Sequence, residues 1–396
     1  MSVLPLYVLF VEGNGVKDTP YLEIVLELAK NRRGFCFPNP SVGSLIVRDN
    51  TILATGYHLQ AGAPHAERHA LQKIAMQAPG ATLYVTLEPC CHWGRTPPCT
   101  DAIIQSGISR VVYAYRDPNP VVSGQGELQL REAGILCEHI SLPEIDHFYE
   151  SYAHWLTTKR PFVTAKIAMS SDGKIAGVNG EPVRLTGPVA DEFTHQHRKQ
   201  SDAILTTVKT IIQDNPQLNA RSNGSLHLSD LEKQACYLEQ REGSLHLVQD
   251  DSMMRVSPKP LYILDRQLRL PLTARVLETA QSITLFHGPH IDIYQKEKLE
   301  AKDIRCIEVA ETVDGLNLGD ALDVIGQDGI HDLWVEAGGS CFSSFVKQSL
   351  LQRAFMYVAP RKLAEGQAAF PADFDLKAKK TDWSLLGEDA LCEVRW

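Results

Sequence analysis

The chain has 396 residues, of which 44% are hydrophobic and 22% are charged, so it has the composition of an ordinary globular protein and the length of two domains. Lys and Arg number 39 against 48 Asp and Glu, and the net charge of −9 argues against a nucleic-acid-binding surface and favours a small-molecule substrate. The nine cysteines form no dense framework, which indicates reduced thiols and a cytoplasmic protein.

The first 17 residues are predicted to be an extension outside the fold. The start from Met1 to Val11 is apolar, but it has neither a basic beginning nor a small-residue cleavage site, and it is too short to span a bilayer. No other run approaches the length of a membrane span, so no membrane association is expected.

Residues 18–145 predict a first domain in which strands and helices alternate, as they do in α/β layers. Apolar residues at helical spacing, such as Leu22, Val25 and Ala29, predict a first helix. The turn pair Asp49-Asn50 predicts a hairpin. The predicted elements are a helix over 21–32, strands over 42–48 and 51–57, a helix over 66–74, a strand over 81–87, a helix from Cys99, a strand over 109–115, a helix over 127–132 and a short strand near Ile135.

His65, Cys90 and Cys99 form the pattern of a catalytic zinc site. One imidazole and two thiolates supply three ligands, and a catalytic zinc needs only three because its fourth position holds water. Glu67 follows the histidine by two residues, where zinc deaminases carry a glutamate that transfers protons without touching the metal. A proline precedes each ligand, and this predicts that all three ligands open helices, whose positive ends favour thiolates and carboxylates.

Two other interpretations of this pattern stay open. A His-x-Glu triplet is common by chance, and a single cysteine is more often a small buried apolar residue than a ligand. A structural zinc would take a fourth protein ligand, for which Cys91 or His92 is available, but that interpretation leaves Glu67 unexplained. The conjunction of the four residues favours the catalytic site.

Residues 146–160 are predicted to be a linker with a connecting helix, and residues 161–396 predict a second α/β domain. Residues 222–257 are polar and contain the pentapeptide Gly-Ser-Leu-His-Leu twice, so they are interpreted as a surface insertion. The predicted strands of this domain, which alternate with helical segments, are 162–169, 203–207, 260–264, 283–286, 333–336 and 354–358.

Two segments of the second domain suit a phosphorylated ligand. The strand over 333–336 leads through Gly338 and Gly339 into a helix, where bare backbone amides can hold a phosphate, although a glycine pair there is more often only a turn. Thr210, Asp214 and Arg221 combine groups that suit a sugar phosphate, and an ordinary solvated loop is the alternative. The chain has no Gly-x-Gly-x-x-Gly pattern, so a Rossmann dinucleotide site is not supported.

Several motifs together resemble the bifunctional riboflavin-biosynthesis enzymes, in which a pyrimidine deaminase is fused to a reductase. The resemblance covers residues 18–396 apart from the insertion. The motifs that resemble the deaminase half are 38–43, 56–58, 64–67, 86–90, 94–99 and 117–120. Those that resemble the reductase half are Lys166, 171–174, 214–216, Arg221 and 335–339.

The resemblance implies a cytidine-deaminase-like α/β domain that holds one Zn²⁺, followed by a dihydrofolate-reductase-like α/β domain that uses NADPH. The first would remove the 2-amino group of 2,5-diamino-6-(5-phosphoribosylamino)pyrimidin-4(3H)-one with water activated as zinc hydroxide, and the second would reduce the ribosyl side chain of the product to ribityl. We also expect a homo-oligomer.

By position in the family, further residues are implied to contact ligands. In the deaminase half, the implied pyrimidine contacts are Asn39, His58 and Arg95. In the reductase half, the implied substrate contacts are Pro182, Arg198, Leu218, Arg221 and Glu336. The implied NADPH contacts are Ala168, Arg184, Thr210, Asp214, Gly338, Gly339 and Ser340.

The reductase half departs from the family pattern at two places. The family commonly has Gly-Glu-Ser-x-Trp where this chain has Gly-Glu-Pro-Val-Arg over 180–184, so Arg184 replaces an aromatic stacking surface. Asn215 stands where a second aspartate is common. Two other functions stay open: a deaminase of cytidine or of tRNA adenosine, which the acidic charge disfavours, and a zinc-stabilised binding protein that holds NADPH without catalysis.

Overall fold

The computed structural model describes residues 18–94, 96–120, 122–221, 256–372 and 374–396. The predicted extension over 1–17, the predicted pyrimidine contact Arg95 and residues 222–255 of the predicted insertion lie outside the described residues. Within the described ranges, the chain forms two α/β units, each built on its own large sheet. No helix in these ranges is both long and apolar enough to cross a membrane.

The first unit is a five-stranded sheet with helices on both faces. Its strands are β1 (Gly43–Arg48), β2 (Thr51–Tyr57), β3 (Thr82–Leu87), β4 (Arg110–Tyr115) and β5 (Leu136–His139), and its first four helices are α1 (Thr19–Lys30), α2 (Ala66–Lys73), α3 (Cys99–Ser106) and α4 (Gln125–Glu132). The strand order is β2-β1-β3-β4-β5, with β1 antiparallel to its neighbours and β3, β4 and β5 parallel. The carboxyl ends of β3 and β4 therefore lie at the same edge.

Each face of this sheet has its own core, because successive side chains of a strand point to opposite faces. Ile46 belongs to the core that α2, α3 and α4 cover, whereas its neighbour Leu45 belongs to the core that α1 covers. The helices α5 (Pro143–Phe148) and α6 (Glu150–Thr158) complete the α1 side, where Ile145 and Tyr149 are buried. The segment predicted to be a linker therefore packs on the first sheet as two helices.

The second unit is a nine-stranded sheet that is parallel except at one edge. Its strands, from one edge to the other, are β13 (Arg305–Glu308), β12 (Ser282–His287), β11 (Pro260–Leu264), β8 (Ala203–Thr207), β16 (Asp332–Glu336), β6 (Phe162–Ser170), β17 (Arg353–Ala359), β20 (Asp389–Arg395) and β19 (Lys380–Leu386). The antiparallel pairs of this sheet are β17 with β20 and β20 with β19. The central strand β16 buries Val335 in one core and Trp334 in the other.

Helices and short strand pairs surround this second sheet. The helices are α7 (Pro188–Gln200), α8 (Val208–Asp214), α9 (Val276–Thr279), α10 (Ile293–Glu300), α11 (Leu318–Gln327) and α12 (Gly339–Lys347), with a 3₁₀ turn over Val178–Gly180. The paired short strands are β7 (Lys174–Ala176) with β18 (Gln367–Ala368), β9 (Ala220–Arg221) with β10 (Val256–Ser257), and β14 (Glu311–Thr312) with β15 (Gly315–Leu316). The β9–β10 pair joins the chain on both sides of residues 222–255.

Most of the predicted elements are confirmed, and one feature was predicted wrongly. The helix predicted over 21–32 forms over Thr19–Lys30, and the hairpin forms as β1 and β2. Cys90 was predicted to open a helix, but it lies in the loop between β3 and α3. Gly94 and the two prolines before Cys99 interrupt that stretch, so a helix cannot begin at Cys90 and continue.

Candidate active sites

Two helix starts and one loop bring the predicted zinc ligands together. His65 is the N-cap residue of α2, Cys99 is the first residue of α3, and Cys90 lies in the loop after β3. The start of α2 lies close to β2 because Gly56 has no side chain: a Cβ atom there would lie 2.1 Å from the carbonyl oxygen of Ala66. This close approach sets the position of His65 above the sheet.

The three ligand atoms face one another at the spacing of a tetrahedral metal site. The Nδ1 atom of His65 lies 3.5 Å from Sγ of Cys90 and 3.4 Å from Sγ of Cys99. Zinc bonds of ordinary length at a tetrahedral angle would place such N and S atoms about 3.6 Å apart, so these residues fit Zn²⁺. Among the residues described, the cluster contains neither Cys91 nor His92, so neither supplies the fourth ligand of a structural site.

Hydrogen bonds prepare His65 and Cys90 for metal binding. The Nε2 atom of His65 lies 3.1 Å from Oγ1 of Thr96, which orients the ring so that Nδ1 faces the sulfur atoms. Hydrogen bonds from the Cys99 thiol and from His65 lower the pKa of Cys90 to about 4. The lowered pKa favours the thiolate of Cys90, which is the form that binds metals.

Glu67 lies in the first turn of α2, beside the three ligands. Only 4% of its surface is exposed, and burial raises the pKa of its carboxyl group. Together with His65 and Cys90 it lines a cavity of about 400 Å³. A carboxyl group placed between a metal site and a cavity can exchange protons with the ligand that the cavity holds.

Asn39 and His58 line the same cavity and are joined by a hydrogen bond. Nδ1 of His58 lies 3.1 Å from the carbonyl oxygen of Pro64, and Nε2 lies 3.0 Å from Nδ2 of Asn39. Burial lowers the pKa of His58, so we assign a neutral ring whose Nδ1–H donates to Pro64 and whose Nε2 accepts from Asn39. The amide oxygen of Asn39 is then left to accept hydrogen bonds from a ligand.

Sequence reasoning left Asp117 and Asn119 out of the site, although both line this cavity. They follow β4, whose carboxyl end lies beside that of β3, the strand that precedes Cys90. Burial raises the pKa of Asp117 to about 6. The 117–120 motif could have placed them here, because functional residues of parallel sheets gather at the carboxyl ends of the strands.

A second cavity, of about 750 Å³, lies in the second unit at the carboxyl ends of β6, β8 and β16. Lys166, which was not among the predicted contacts, also lines it, and burial lowers the pKa of this lysine. Nine predicted residues line the cavity, namely Ala168, Pro182, Arg184, Thr210, Asp214, Glu336, Gly338, Gly339 and Ser340.

The start of α12 gives this second cavity a place for a phosphate. Gly338 is its N-cap residue, and no atom lies within 4 Å of the position that a Cβ atom of Gly338 would take, so its backbone is open to a ligand. Gly339 packs so closely against the backbone of Ala369 that no side chain fits there, since a Cβ atom on Gly339 would lie 1.5 Å from the carbonyl oxygen of Ala369. The open backbone amides and the size of the cavity fit the phosphates of a dinucleotide such as NADPH.

Arg198 reaches this cavity through Glu336. Nη2 of Arg198 lies 2.8 Å from Oε2 of Glu336, and both side chains are largely buried. Burial alone would raise the pKa of Glu336, but the neighbouring guanidinium outweighs it and lowers this pKa to about 2. Leu218 and Arg221 do not line the cavity: Leu218 is buried in the core and Arg221 is exposed on β9, so their substrate contacts stay predictions.

Comparisons with known proteins match both units. Residues 16–115 match the cytidine and deoxycytidylate deaminase zinc-binding region, and residues 161–392 match the RibD C-terminal domain. Riboflavin biosynthesis protein RibD of Aquifex aeolicus is 37% identical over 383 residues, covering 94% of this chain and 96% of the relative. The RibD protein of Escherichia coli is 34% identical over 360 residues, covering 90% of this chain and 92% of the relative.

Solved structures resemble the whole described architecture. RibD of Acinetobacter baumannii has a TM-score of 0.77 at 32% identity, covering 96% of this chain and 98% of that chain. A Thermotoga maritima structure has a TM-score of 0.74 at 30% identity, covering 95% of this chain and 97% of that chain. That protein is described as a diaminohydroxyphosphoribosylaminopyrimidine deaminase and 5-amino-6-(5-phosphoribosylamino)uracil reductase.

Proposed function

The chain belongs to the RibD family of riboflavin biosynthesis proteins, and from this premise we propose which of its residues carry out a zinc-dependent deamination and which carry out an NADPH-dependent reduction. The proposed deaminase domain is 18–145, 146–160 is the linker, and the reductase domain is 161–396 with an insertion over 222–257. The observation that carries the deaminase assignment is the cluster of His65, Cys90 and Cys99 beside the buried Glu67.

The proposed substrate of the first reaction is 2,5-diamino-6-(5-phosphoribosylamino)pyrimidin-4(3H)-one, because the Thermotoga maritima relative is named for this deamination. When bound, Zn²⁺ polarises a water molecule so that it loses a proton near neutral pH. Glu67 would accept this proton as the water oxygen bonds to C2 of the pyrimidine, and would deliver it to the amino nitrogen, so that the C–N bond breaks and ammonia leaves. The remaining hydroxyl proton would move to the neighbouring ring nitrogen, which leaves a carbonyl group at C2. Asn39, His58 and Arg95 hold the pyrimidine ring.

The proposed second reaction reduces the ribosyl side chain of the deaminated product to ribityl in the cavity at β6, β8 and β16. NADPH, when bound, would supply a hydride to C1′ of the ribosyl group; the bond between C1′ and the ring oxygen would break, and that oxygen would take one proton to become a hydroxyl group. The residues proposed to hold NADPH are Ala168, Arg184, Thr210, Asp214, Gly338, Gly339 and Ser340. Those proposed to hold the sugar phosphate substrate are Pro182, Arg198, Leu218, Arg221 and Glu336. The size of the cavity and the open backbone at Gly338 support this division.

We further propose a cytoplasmic homo-oligomer that acts on a small molecule rather than on nucleic acid. The net charge of −9 supports the small-molecule substrate, and the free thiols among the described cysteines support a reducing compartment. The edge strand β19 exposes Trp383 and Leu385, 65% and 75% of whose surfaces are accessible. An edge strand with exposed large apolar side chains is a surface that a second copy can cover.

The test is to incubate the zinc-loaded full chain with the diaminopyrimidine substrate and NADPH, and to follow product masses over time. We expect a deaminated product followed by a reduced one. In Glu67→Gln, deamination should fall by about 10²–10⁴-fold with zinc still bound, while supplied deaminated product is still reduced. Retained deamination in this variant would contradict the role of Glu67. Deaminated product without reduction would contradict the reductase assignment.

A further inference from the structure

The loop that carries Asn39 is held by the second domain as well as by its own, in which Asn39 contacts His58 and Ser41 donates to the carbonyl oxygen of Ala29. This loop, residues 31–42, joins α1 to β1. Nη2 of Arg33 lies 2.7 Å from Oδ2 of Asp332, and the carbonyl oxygen of Gly34 accepts a hydrogen bond of 2.6 Å from Nζ of Lys259. Two consecutive residues of a deaminase loop are therefore fixed by side chains of the reductase domain.

Lys259, the residue before β11, is the most deeply buried of these contacts. Only 2% of its surface is exposed, and its ammonium group also donates to the carbonyl oxygen of Lys199, in the last turn of α7, at 2.7 Å. The same Nζ atom lies 4.5 Å from the centroid of the Phe35 ring. Without this ammonium, the two buried carbonyl groups would lose a donor. Lys259 thus fixes the backbone of residues 34–35 against α7.

His331, in the turn before β16, supports a second wall of the deaminase cavity. Its ring packs against Trp155 with centroids 4.3 Å apart and against Tyr152 with centroids 5.3 Å apart. Nε1 of Trp155 donates to the carbonyl oxygen of Gly326 at 2.8 Å. Tyr152 and Trp155 both line the cavity. The part of α6 that lines the deaminase cavity therefore rests on the reductase domain.

We propose that Lys259 and His331 are positioning residues for the deamination. Neither lines the deaminase cavity, so each acts through what it holds: Lys259 through the loop that carries Asn39, and His331 through Trp155. Pro38, the neighbour of Asn39, also lies against the reductase domain. A Cβ atom added to Gly329 of that domain would lie 2.5 Å from the Cβ atom of Pro38. This inference rests on the assignment of the cavity beside His65 as the deaminase site.

The test compares Lys259→Met and His331→Gln with the unaltered full chain. Lys259→Met keeps the apolar stem and removes the donors, whereas His331→Gln keeps a polar group and removes the ring. For each protein, kcat and KM are measured for deamination and, with deaminated product supplied, for reduction. Zinc content and the thermal midpoint are recorded. Leu285→Ala is the matched control, because Leu285 is fully buried in a core of the reductase domain that includes no residue of 31–42 or α6.

In both variants, deaminase kcat/KM is expected to fall between about tenfold and a hundredfold, mainly through KM, while the reductase constants change by less than about twofold. Zinc content should stay the same. The deaminase constants of Leu285→Ala should match those of the unaltered chain, even at a lower thermal midpoint. Because the two variants act on different walls, His331→Gln tests the proposal on its own if Lys259→Met does not fold.

Three results would overturn the proposal. Normal deamination in both variants would show that neither residue positions the site. An equal loss of both activities, or the same loss of deamination in Leu285→Ala, would show only a general effect on stability. Glu67→Gln separates this failure from a failure of the site assignment. If Glu67→Gln still deaminates, the site lies elsewhere. If it does not, and both positioning variants deaminate normally, only the positioning inference fails.

Discussion

Arg198 forms a largely buried ion pair with Glu336, which lines the second cavity, since only 13% and 12% of their side chains are exposed. Replacing one member of such a pair leaves the other charge buried without compensation. Glu336→Gln is therefore expected to lower the free energy of unfolding by roughly 3 kcal/mol and to abolish reduction, while deamination continues. Denaturant unfolding and separate assays of the two reactions measure this.

The exposed pair of Lys380 and Asp382 provides the control for that prediction. These side chains lie 3.0 Å apart on β19 and are 68% and 56% exposed. Because water screens such a pair, Asp382→Asn should change the free energy of unfolding by less than about 1 kcal/mol. Equal losses of unfolding free energy in Glu336→Gln and Asp382→Asn would contradict the prediction that burial makes the pair of Arg198 and Glu336 the more stabilising one.

Thr96 holds the ring of His65 from the side opposite the metal site, through the contact of 3.1 Å between Oγ1 and Nε2. Partners of this kind orient a ligand, and their loss costs about 10–100-fold in metal affinity. We expect that loss in Thr96→Val, measured by competition for zinc with a chelator. The matched control is Thr157→Val, because the hydroxyl of Thr157 bonds only to backbone carbonyls of α6. Unchanged affinity in Thr96→Val would remove Thr96 from the site.

At the scale of elements, the approach of α2 to β2 decides whether the zinc ligands meet. A Cβ atom on Gly56 would lie 2.1 Å from the carbonyl oxygen of Ala66, so Gly56→Ala must push the start of α2 away from the sheet. His65 would move with it while Cys90 and Cys99 stay. Zinc content measured on the purified variant is expected to fall.

Gly94→Ala is the control for this prediction. No atom lies within 4 Å of the position that a Cβ atom of Gly94 would take, so this variant should keep its zinc. Full zinc content in Gly56→Ala would mean that α2 can shift without separating the ligands, and the position of the helix would then not set the site.

The elements that could be predicted are those whose sequence signal lies within a few neighbouring residues. A proline directly precedes the N-cap residue of α2 and the first residue of α3, and this signal is visible over a few residues, so both helix starts with His65 and Cys99 were predictable. Cys90 was misplaced because a proline before it signals a turn as readily as a helix start. The pairing of β19 with β20 was not foreseen, since β19 is exposed along nearly its whole length and has no buried apolar face.

Across the whole molecule, the contacts between the domains were beyond the reach of the sequence patterns. Glu150, the first residue of α6, lies 3.2 Å from both Arg353 and Arg395 of the reductase domain. Each of these residues is an ordinary charged residue in its own segment, and no spacing rule relates them. The sequence indicated a linker there, and the contacts of this linker with the reductase domain depend on the folded arrangement. Asp117 was missed although the 117–120 motif marked its segment, because its place beside the cavity depends on β3 and β4 becoming neighbours.

The boundary between the domains also predicts how stability depends on pH. His331 is 5% exposed, and burial lowers its pKa from the ordinary value of 6.5 to about 4. As the pH falls below 6.5, His331 binds a proton in the unfolded chain but not in the folded chain. The stability that this residue contributes is therefore fully present above pH 6.5 and is lost towards pH 4. At 1.4 kcal/mol for each pKa unit, the loss from this residue is roughly 2 kcal/mol at pH 5.

His331→Phe should therefore lose less stability than the unaltered chain when the pH is lowered from 7 to 5. Denaturant unfolding at both pH values measures the difference, and comparison with the parent subtracts the contributions of the zinc ligands and carboxylates that both proteins share. The control is His290→Phe, because the side chain of His290 is exposed to water. If all three proteins lose the same stability, protonation of His331 does not contribute to the loss of stability in acid.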